Sequence, residues 1–355
     1  MPADSIEFCP IPGAQRIFAC GTYLLEQSQD DPGDEDITPK PNQRRRGQCM
    51  IFETSVYPSN DFQLIYEFDS RAVLDMKWCH SVLEEGPLLA ISTSNGKVLL
   101  HHWDIERRLL KFHDSIICSG PGTLCLSIDW SNRRFAHGVG DLTVSLSDGH
   151  VSLLRPSQSS ILALSDSWCA HDFECWVSAW NYWDTNVVFS GGDDLKLKAW
   201  DIRQDFTQPL FTNSRFEAGV TTIQSHPHIE HVIAVGSYNN SVRLFDLRKP
   251  LVPIVDMDVG GGCWRVKWHP DISRKSDLLV ACMHDGFKVL RFPDLKDGTE
   301  LPSSSPGTAP YTMNRYDVHK SLAYGVDWAY QHVDERNSTV ASCSFYDCSL
   351  HTWKA

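Results

Sequence analysis

The residue types of a serine hydrolase occur close together in one part of the chain. His171 precedes the string FSGGDD, which contains Ser190 and Asp194. In a hydrolase these types supply a nucleophile, a base and an acid that orients the base. A nucleophilic serine needs an exposed, strained turn with oxyanion donors beside it, whereas Ser190 lies inside an apolar, strand-like segment. The local sequence therefore argues against a catalytic triad.

An internal repeat offers another interpretation of these residues. Three segments share an apolar strand ending in small residues, a tight polar turn and an alternating strand that closes near Trp or Phe; they are Val187–Arg203, Val232–Arg248 and Thr339–Lys354. This pattern is typical of the inner hairpin of a WD-repeat propeller blade. In such a blade a His, the turn Asp, a strand Ser and a Trp N–H satisfy one another. We therefore interpret the Ser–His–Asp set, together with Trp200, as structural.

The innermost strand of each blade is a second marker. Its last residue is Trp in most repeats, and we take the equivalent positions to be Phe8, Trp78, Trp130, Trp180, Gln224, Trp268 and Trp328. The shortest intervals, 44 residues, match the repeat period of about 40–45 residues. We predict an all-β, seven-bladed WD-repeat propeller that forms a single domain over residues 1–355.

The sequence alone does not fix how the ring closes or what two insertions do. Because only four residues precede Ser5, either blade seven lacks its outer strand or residues are missing upstream. The segments at about 26–46 and 298–312 are rich in Pro, Ser, Gly or charge and predict mobile loops. A docking or targeting role for Arg44–Arg46 is the alternative to a solvated loop.

A propeller gathers side chains on one face, from the starts of its inner strands and from its hairpin turns. Those positions supply our candidate site residues, which are Glu174, Trp176, Asp193, Tyr238, Trp264, His284, Tyr324 and Tyr346. Aromatic faces beside carboxylates favour a quaternary ammonium or methylated cation, at about 0.5–2 kcal/mol for each contact. An aromatic surface for protein–protein contact is the equally weighted alternative.

His284 interrupts a strongly apolar strand, LLVACMHDGFKVL, at its turn end. It does not occupy the position of the structural His, so a neutral imidazole here could act as a general base on water. The alternative is a turn histidine that is hydrogen-bonded to its neighbour, Asp285.

Charge narrows the classes of partner. With 32 Lys and Arg against 45 Asp and Glu, the formal net charge is −13, which disfavours nucleic acid. We find no secretory signal pattern and no apolar run of the roughly 18 residues that a membrane helix requires. We expect neither nucleic acid nor membrane as a partner.

The cysteines and clustered histidines predict no metal site. The 12 cysteines are scattered without a CxxC pair, which indicates reduced thiols in a cytoplasmic protein. His226, His228 and His231 are crowded in an inter-strand turn, and we favour solvated loop histidines over metal ligands.

Several strings resemble one WD-repeat family far more specifically than the repeat itself does. They are AHDFECWVSAWNYW, VVFSGGDDLKLKAWD, AVGSYNNSVRLFD, GGGCWRVKWHP, ACMHDGFKVL, AYGVDW and CSFYD. The chain resembles the diphthine methyl ester hydrolases (diphthine methylesterases) of diphthamide biosynthesis, also catalogued as diphthine methyltransferases. The resemblance runs from about Ser5 to the C-terminus and weakens over the two insertions.

The resemblance implies a reaction and a partner. The partner would be elongation factor 2, whose modified histidine carries a trimethylammonio group and a methyl ester; hydrolysis would give diphthine and methanol before the final amidation. We expect no cofactor, because no glycine-rich motif suggests a methyl donor site, and we expect a monomer. A non-catalytic WD-repeat scaffold is the alternative.

We assign roles within that expectation. His284 would be the base, and Tyr238 or Tyr346 would donate a hydrogen bond to the ester carbonyl. The remaining candidates would bind the cation; they are Glu174, Trp176, Asp193, Trp264 and Tyr324.

Overall fold

A computed structural model of the chain describes residues 1–26, 44–55, 59–136, 138–293, 295, 309–331 and 338–355. Most of both segments predicted as mobile loops, about 26–46 and 298–312, lies outside the described residues. At their described ends, Arg45 and Arg46 belong to one β-strand and Tyr311 to another.

The described residues form seven antiparallel sheets, one for each blade. Blade one contains β1 (Ala3–Phe8), β2 (Ile17–Thr22), β3 (Leu24–Leu25), β4 (Arg45–Thr54) and β5 (Phe62–Arg71). Blade two contains β6 (Val73–Trp78), β7 (Leu88–Thr93), β8 (Lys97–Asp104) and β9 (Leu109–Ile117). Blade three contains β10 (Cys125–Trp130), β11 (Leu142–Leu146), β12 (His150–Arg155) and β13 (Ala163–Cys169). Blade four contains β14 (Val177–Trp180), β15 (Val187–Gly191), β16 (Leu197–Asp201) and β17 (Phe211–Asn213).

The remaining three blades complete the ring. Blade five contains β18 (Val220–Ser225), β19 (Val232–Ser237), β20 (Ser241–Asp246) and β21 (Pro253–Asp258). Blade six contains β22 (Arg265–Trp268), β23 (Asp277–Ala281), β24 (Phe287–Arg291) and β25 (Tyr311–Tyr316). Blade seven contains β26 (Ala323–Trp328), β27 (Thr339–Ser344) and β28 (Ser349–Lys354). The helices among the described residues are single 3-10 turns, Ser131–Arg133 and Ile272–Arg274, and none of them could span a bilayer.

The ring closes through its innermost strands. Strand β1 packs beside β26, and the backbone N–H of Phe8 donates to Oδ2 of Asp327 at 2.8 Å. The described part of blade seven has three strands, and the N-terminal strand serves as the innermost strand of blade one. The predicted seven-bladed, all-β propeller is therefore confirmed.

Tryptophans at the ends of innermost strands join neighbouring blades. Four of the five such tryptophans are fully buried, and the Nε1 of each of these four donates to a backbone carbonyl of the preceding blade. The bonds are Trp78 to Glu7 at 3.1 Å, Trp130 to Lys77 at 3.0 Å, Trp180 to Asp129 at 3.0 Å and Trp328 to Lys267 at 2.9 Å. The recurrence of Trp in the sequence thus has a structural cause.

One position of the sequence alignment was wrong. Ser225, and not Gln224, is the last residue of β18 and pairs with Ile233, as Trp78 ends β6 and pairs with Leu89. Gln224 instead matches the residue before the Trp, because its Oε1 accepts from the backbone N–H of Trp268 at 2.6 Å. Asp129 does the same for the N–H of Trp180 at 2.9 Å. Because β18 ends in Ser225 and not in an aromatic residue, residue type alone could not fix the register.

The Ser–His–Asp set is structural, as predicted. Nδ1 of His171 lies 2.7 Å from Asp194 Oδ1, and its Nε2 lies 2.8 Å from Ser190 Oγ. Trp200 Nε1 donates to the same Ser190 oxygen at 2.9 Å. Because Ser190 is completely buried, it offers no nucleophile to a substrate.

Blade seven repeats this network with one extra member. Nε2 of His319 lies 2.9 Å from Ser342 Oγ, to which Trp353 Nε1 also donates. Its Nδ1 lies 2.6 Å from Ser349 Oγ, which donates in turn to Asp347. A serine therefore relays the contact that His171 makes directly to aspartate.

The crowded histidines of blade five are held by backbone groups. Nε2 of His226 lies 2.8 Å from the carbonyl oxygen of Lys275, and its Nδ1 accepts from the N–H of His228 at 3.0 Å. Nε2 of His228 lies 2.8 Å from the carbonyl oxygen of Pro270. His226 is completely buried, so the prediction of a solvated loop histidine is wrong for this residue. Both of its ring nitrogens already have partners, which leaves neither for a metal.

Candidate active site

A cavity of about 310 Å³ opens where the innermost strands begin. One position in six of the seven blades contributes to its wall, four residues before the end of the innermost strand. These residues are Asp4, Leu74, Leu126, Trp176, Trp264 and Tyr324. The seventh, Thr221, is buried and donates to the carbonyl of Cys263 instead.

Irregular pairing turns some of these side chains toward the channel. The register of the innermost strand shifts at Asp4, at Leu74 and at Leu126, so each is an extra residue opposite its partner strand. A β-bulge of this kind re-aims a side chain and often occurs beside a functional site.

A second position adds the upper rim. The first residue after the second strand of a blade lines the cavity in four blades; these residues are Tyr23, Ser147, Tyr238 and Phe345. Glu174, Leu124 and Arg265 complete the lining. Two equivalent positions of the repeat, one in six blades and the other in four, thus converge on one cavity, as the propeller geometry predicts.

Aromatic rings form one continuous wall. The ring of Trp264 lies 5.8 Å from that of Trp176, 6.1 Å from that of Tyr238 and 4.8 Å from that of Tyr324. Tyr324 stacks in turn on Phe345 at 4.9 Å. Such a wall presents several ring faces to one guest, which suits a cation without N–H groups.

Acidic groups surround that wall. Glu174 lines the cavity, and Asp193 lies behind it, where its Oδ1 accepts from Trp176 Nε1 at 3.2 Å. Asp193 therefore fixes the orientation of Trp176 instead of lining the cavity itself. Asp4 also lines the cavity and interacts electrostatically with Arg265, whose guanidinium carbon lies 5.4 Å from the centre of the Trp264 ring.

Asp4 is the titratable group that the sequence analysis missed. Burial raises the pKa of its carboxyl to about 7, although Arg265 acts in the opposite direction. The side chain is thus able to accept or release a proton near neutral pH, which is what a general acid or base requires.

Two phenols in the cavity are hydrogen-bond donors that a guest could use. Burial raises the pKa of Tyr238, and it raises the pKa of Tyr324 to about 12, so both phenols keep their protons at neutral pH. The indole N–H of Trp264 is buried and has no hydrogen-bond partner among the described residues. Because this nitrogen is not exposed to the cavity, Trp264 offers a guest its ring face and not its N–H.

Two predicted catalytic residues lie elsewhere. His284 and Tyr346 line a separate, more open cavity of about 720 Å³ between blades six and seven. The side chain of Asp285 lies 2.6 Å from Lys288 and also pairs with Arg315. The structure thus separates these two residues from the aromatic cavity, which gathers Glu174, Trp176, Tyr238, Trp264 and Tyr324.

A signal for Asp4 was present in the sequence. Counting four residues back from Phe8 reaches Asp4, and the same count from Trp180, Trp268 and Trp328 reaches three of the predicted aromatic residues. Arg265 follows Trp264 directly, yet nothing in its local sequence distinguishes it from a surface arginine.

Comparison with curated proteins gives relatives that share one name, although no family model matches the chain. A mouse (Mus musculus) protein named diphthine methyltransferase is 38% identical over 341 residues, covering 93% of this chain and 68% of the relative. A Dictyostelium discoideum protein named diphthine methyltransferase homolog is 34% identical over 382 residues, covering 99% of this chain and 96% of the relative.

The fold has solved counterparts. A chain in the crystal structure of the mitotic checkpoint complex superposes with a TM-score of 0.66, covering 99% of this chain and 89% of that one. Its sequence identity of 14% shows a shared fold alone.

Proposed function

The chain belongs to the diphthine methyltransferase family, and we propose that it is an enzyme of diphthamide biosynthesis that hydrolyses the methyl ester of methylated diphthine on elongation factor 2. The observation that carries this proposal is the aromatic cavity, which combines a cation-binding wall with a carboxyl group of pKa about 7 beside a guanidinium. The substrate carries both groups that such a cavity would recognise, a trimethylammonium and an ester.

The cation would lie against the aromatic wall. A trimethylammonium cannot donate hydrogen bonds, so it gains from ring faces, at about 0.5–2 kcal/mol for each contact. Trp176, Trp264 and Tyr324 supply such faces, and Glu174 supplies a carboxylate at the rim.

Asp4 would activate the water. In its ionised form it accepts a proton from water as the water oxygen attacks the ester carbonyl carbon. The carbonyl oxygen then gains negative charge, which the Arg265 guanidinium or the Tyr238 hydroxyl stabilises. When the carbon–oxygen bond to the methoxy group breaks, Asp4 returns the proton and methanol leaves. The new carboxylic acid loses its proton to solvent.

Asp4 suits the role of base better than His284 does. It lies in the cavity that holds the cation-binding rings, whereas His284 and Tyr346 line the neighbouring cavity. That second cavity opens on the same face, where the folded elongation factor would contact the propeller. We assign His284 and Tyr346 to contact with the protein substrate.

The decisive experiment follows the mass of the substrate. The purified chain is incubated with elongation factor 2 that carries methylated diphthine, and the modified peptide is analysed by mass spectrometry. We expect loss of one methylene unit and release of methanol. The same reaction with isotope-labelled S-adenosylmethionine tests methyl transfer. A labelled product would overturn the proposed hydrolysis. A substrate that binds but remains unchanged would favour a non-catalytic scaffold.

Variants separate the two assignments of the base. We expect Asp4→Asn to abolish turnover. His284→Ala should retain the wild-type kcat and raise KM, because it removes a contact with the protein substrate. Trp264→Ala should raise KM about tenfold or more, because it loses a cation–π face. Loss of kcat in His284→Ala with full activity in Asp4→Asn would return the base to His284.

A further inference from the structure

We propose that blade two contains a zinc site formed by Glu85, His102 and His113. Glu85 lies in the loop between β6 and β7, His102 in β8 and His113 in β9. Their ligand atoms all lie within 4.8 Å of one another. The loop lies after β6, and the aromatic cavity lies where the innermost strands begin, so the two sites are at opposite ends of the blade.

The distances fit tetrahedral coordination. Nε2 of His102 lies 3.3 Å from Glu85 Oε2, and Nδ1 of His113 lies 3.6 Å from the same oxygen. Zinc bonds of about 2.1 Å at tetrahedral angles separate two ligand atoms by about 3.4 Å. Both distances from Glu85 match this separation, and the three ligand atoms lie within 4.8 Å of one another, so three protein ligands would leave a fourth position for water.

His102 is oriented as a ligand. Its side chain is 4% exposed, and its Nδ1 lies 3.2 Å from the carbonyl oxygen of Gly86. Because a carbonyl only accepts, Nδ1 carries the proton and Nε2 presents a lone pair. That Nε2 is buried and makes no hydrogen bond within the described part of the chain. Metal-bound histidines characteristically donate their other N–H to such a carbonyl.

A register shift places His113 beside it. Leu100 pairs with Asp114 and His101 with Phe112, so His113 is the extra residue of the shift. The His113 ring thereby comes to 5.1 Å from the His102 ring. The neighbouring cation does not obstruct the site, because Lys111 Nζ pairs with Asp104 Oδ2 at 2.6 Å.

Zinc would tie the loop after β6 to the outer hairpin of the blade. If zinc binds the folded chain and not the unfolded chain, it stabilises the fold. Well above the dissociation constant, this stabilisation increases with the logarithm of the free zinc concentration. The test uses the full chain, stripped with a chelator, and titrated with zinc sulfate in a calorimeter. We expect one site, and a rise in melting temperature with zinc.

Exposed ligands supply the variants. His113→Ala and Glu85→Gln should each weaken zinc binding at least tenfold and abolish the thermal shift. His231→Ala is the matched control, because this histidine also lies beside a glutamate, Glu230, at 3.7 Å; it should bind zinc as the wild type does.

Cobalt identifies the ligand atoms. Substitution by Co²⁺ should give the visible bands of a tetrahedral nitrogen and oxygen site without thiolate charge transfer, which excludes the exposed Cys169 and Cys348. Absence of binding, a thiolate spectrum, or equal affinity in His113→Ala and Glu85→Gln would each overturn the site.

Discussion

A carboxyl group with a pKa near neutrality makes the rate of a reaction depend on pH in a defined direction. If Asp4 is the base, its ionised form is active, so kcat/KM should rise as the pH increases through about 7 and then level off. The measurement is a pH profile of ester hydrolysis on the intact elongation factor. A profile that is flat from about pH 6 to pH 8 would remove Asp4 from the proton transfer.

Asp4 should also make the stability of the fold depend on pH, in the direction opposite to its effect on the reaction rate. Folding raises the pKa of Asp4 from 3.8 to about 7, so between those values the folded chain binds one proton more than the unfolded chain. Stability from this group is therefore present at low pH and is lost as the pH rises through about 7. Asp4→Asn, which never ionises, should melt at a higher temperature than the wild type at alkaline pH. Equal melting temperatures there would contradict the burial of this charge.

The site residues show how far sequence can predict a binding site. Trp176, Trp264 and Tyr324 were predictable because blades repeat and one position per repeat faces the channel. Asp4 occupies the same position, yet an aspartate before a strand is common on surfaces and does not stand out. The cavity that His284 lines depends on how a hairpin turn bends between two blades, and this bend could not be predicted from residue types.

Among structural elements, the innermost strand joins each blade to the one before it. The indole of Trp130 donates to the Lys77 carbonyl, whereas Trp268 Nε1 is buried without a hydrogen bond among the described residues. We expect Trp130→Phe to lower the free energy of unfolding by about 1–3 kcal/mol, because a buried carbonyl loses its donor. Trp268→Phe is the matched control and should cost less. Chemical denaturation measures both, and a larger loss in Trp268→Phe would refute this account of the joint.

The hairpin of blade four carries two adjacent aspartates with different tasks. Asp194 accepts from the buried His171, so Asp194→Ala should lower the free energy of unfolding by about 1–3 kcal/mol. Asp193 holds only the exposed edge of Trp176, so Asp193→Ala should leave the melting temperature unchanged and raise KM. Thermal unfolding and steady-state kinetics on both variants test this division. Equal melting temperatures for all three proteins would contradict the structural network.

At the scale of the whole molecule, the repeat was easier to predict than its closure. The seven blades could be predicted because the same pattern of apolar residues recurs in the strands of each repeat. Closure depends on contacts between the two ends of the chain, such as that of Phe8 with Asp327, which no local pattern reveals. The register of blade five was also misplaced by one residue, since Ser225 stands where other blades have an aromatic ring.

Buried charges at the hub link several blades at once. The carboxylate of Glu7 in blade one pairs with Lys267 of blade six. It also lies 3.7 Å from Nζ of Lys77 in blade two. Its third partner is Arg133, at 3.1 Å, which follows the innermost strand of blade three. Burial alone would raise the pKa of Glu7, but these three cations lower it from 4.5 to about 2. Its charge therefore stabilises the fold above pH 4.5, and this stabilisation is lost as the pH falls toward 2.

Removing that charge should weaken the whole ring. We expect Glu7→Gln to lower the free energy of unfolding at neutral pH by about 3–5 kcal/mol, because buried cations lose their shared partner. Glu53→Gln is the matched control; Glu53 pairs with Arg16 and Arg108, both partly exposed, and its loss should cost about 0–1 kcal/mol. Denaturation in a pH series should show the gap between the wild type and Glu7→Gln closing as the pH falls below 4.5. A gap that stays constant down to acidic pH would mean that the Glu7 charge does not hold the hub together.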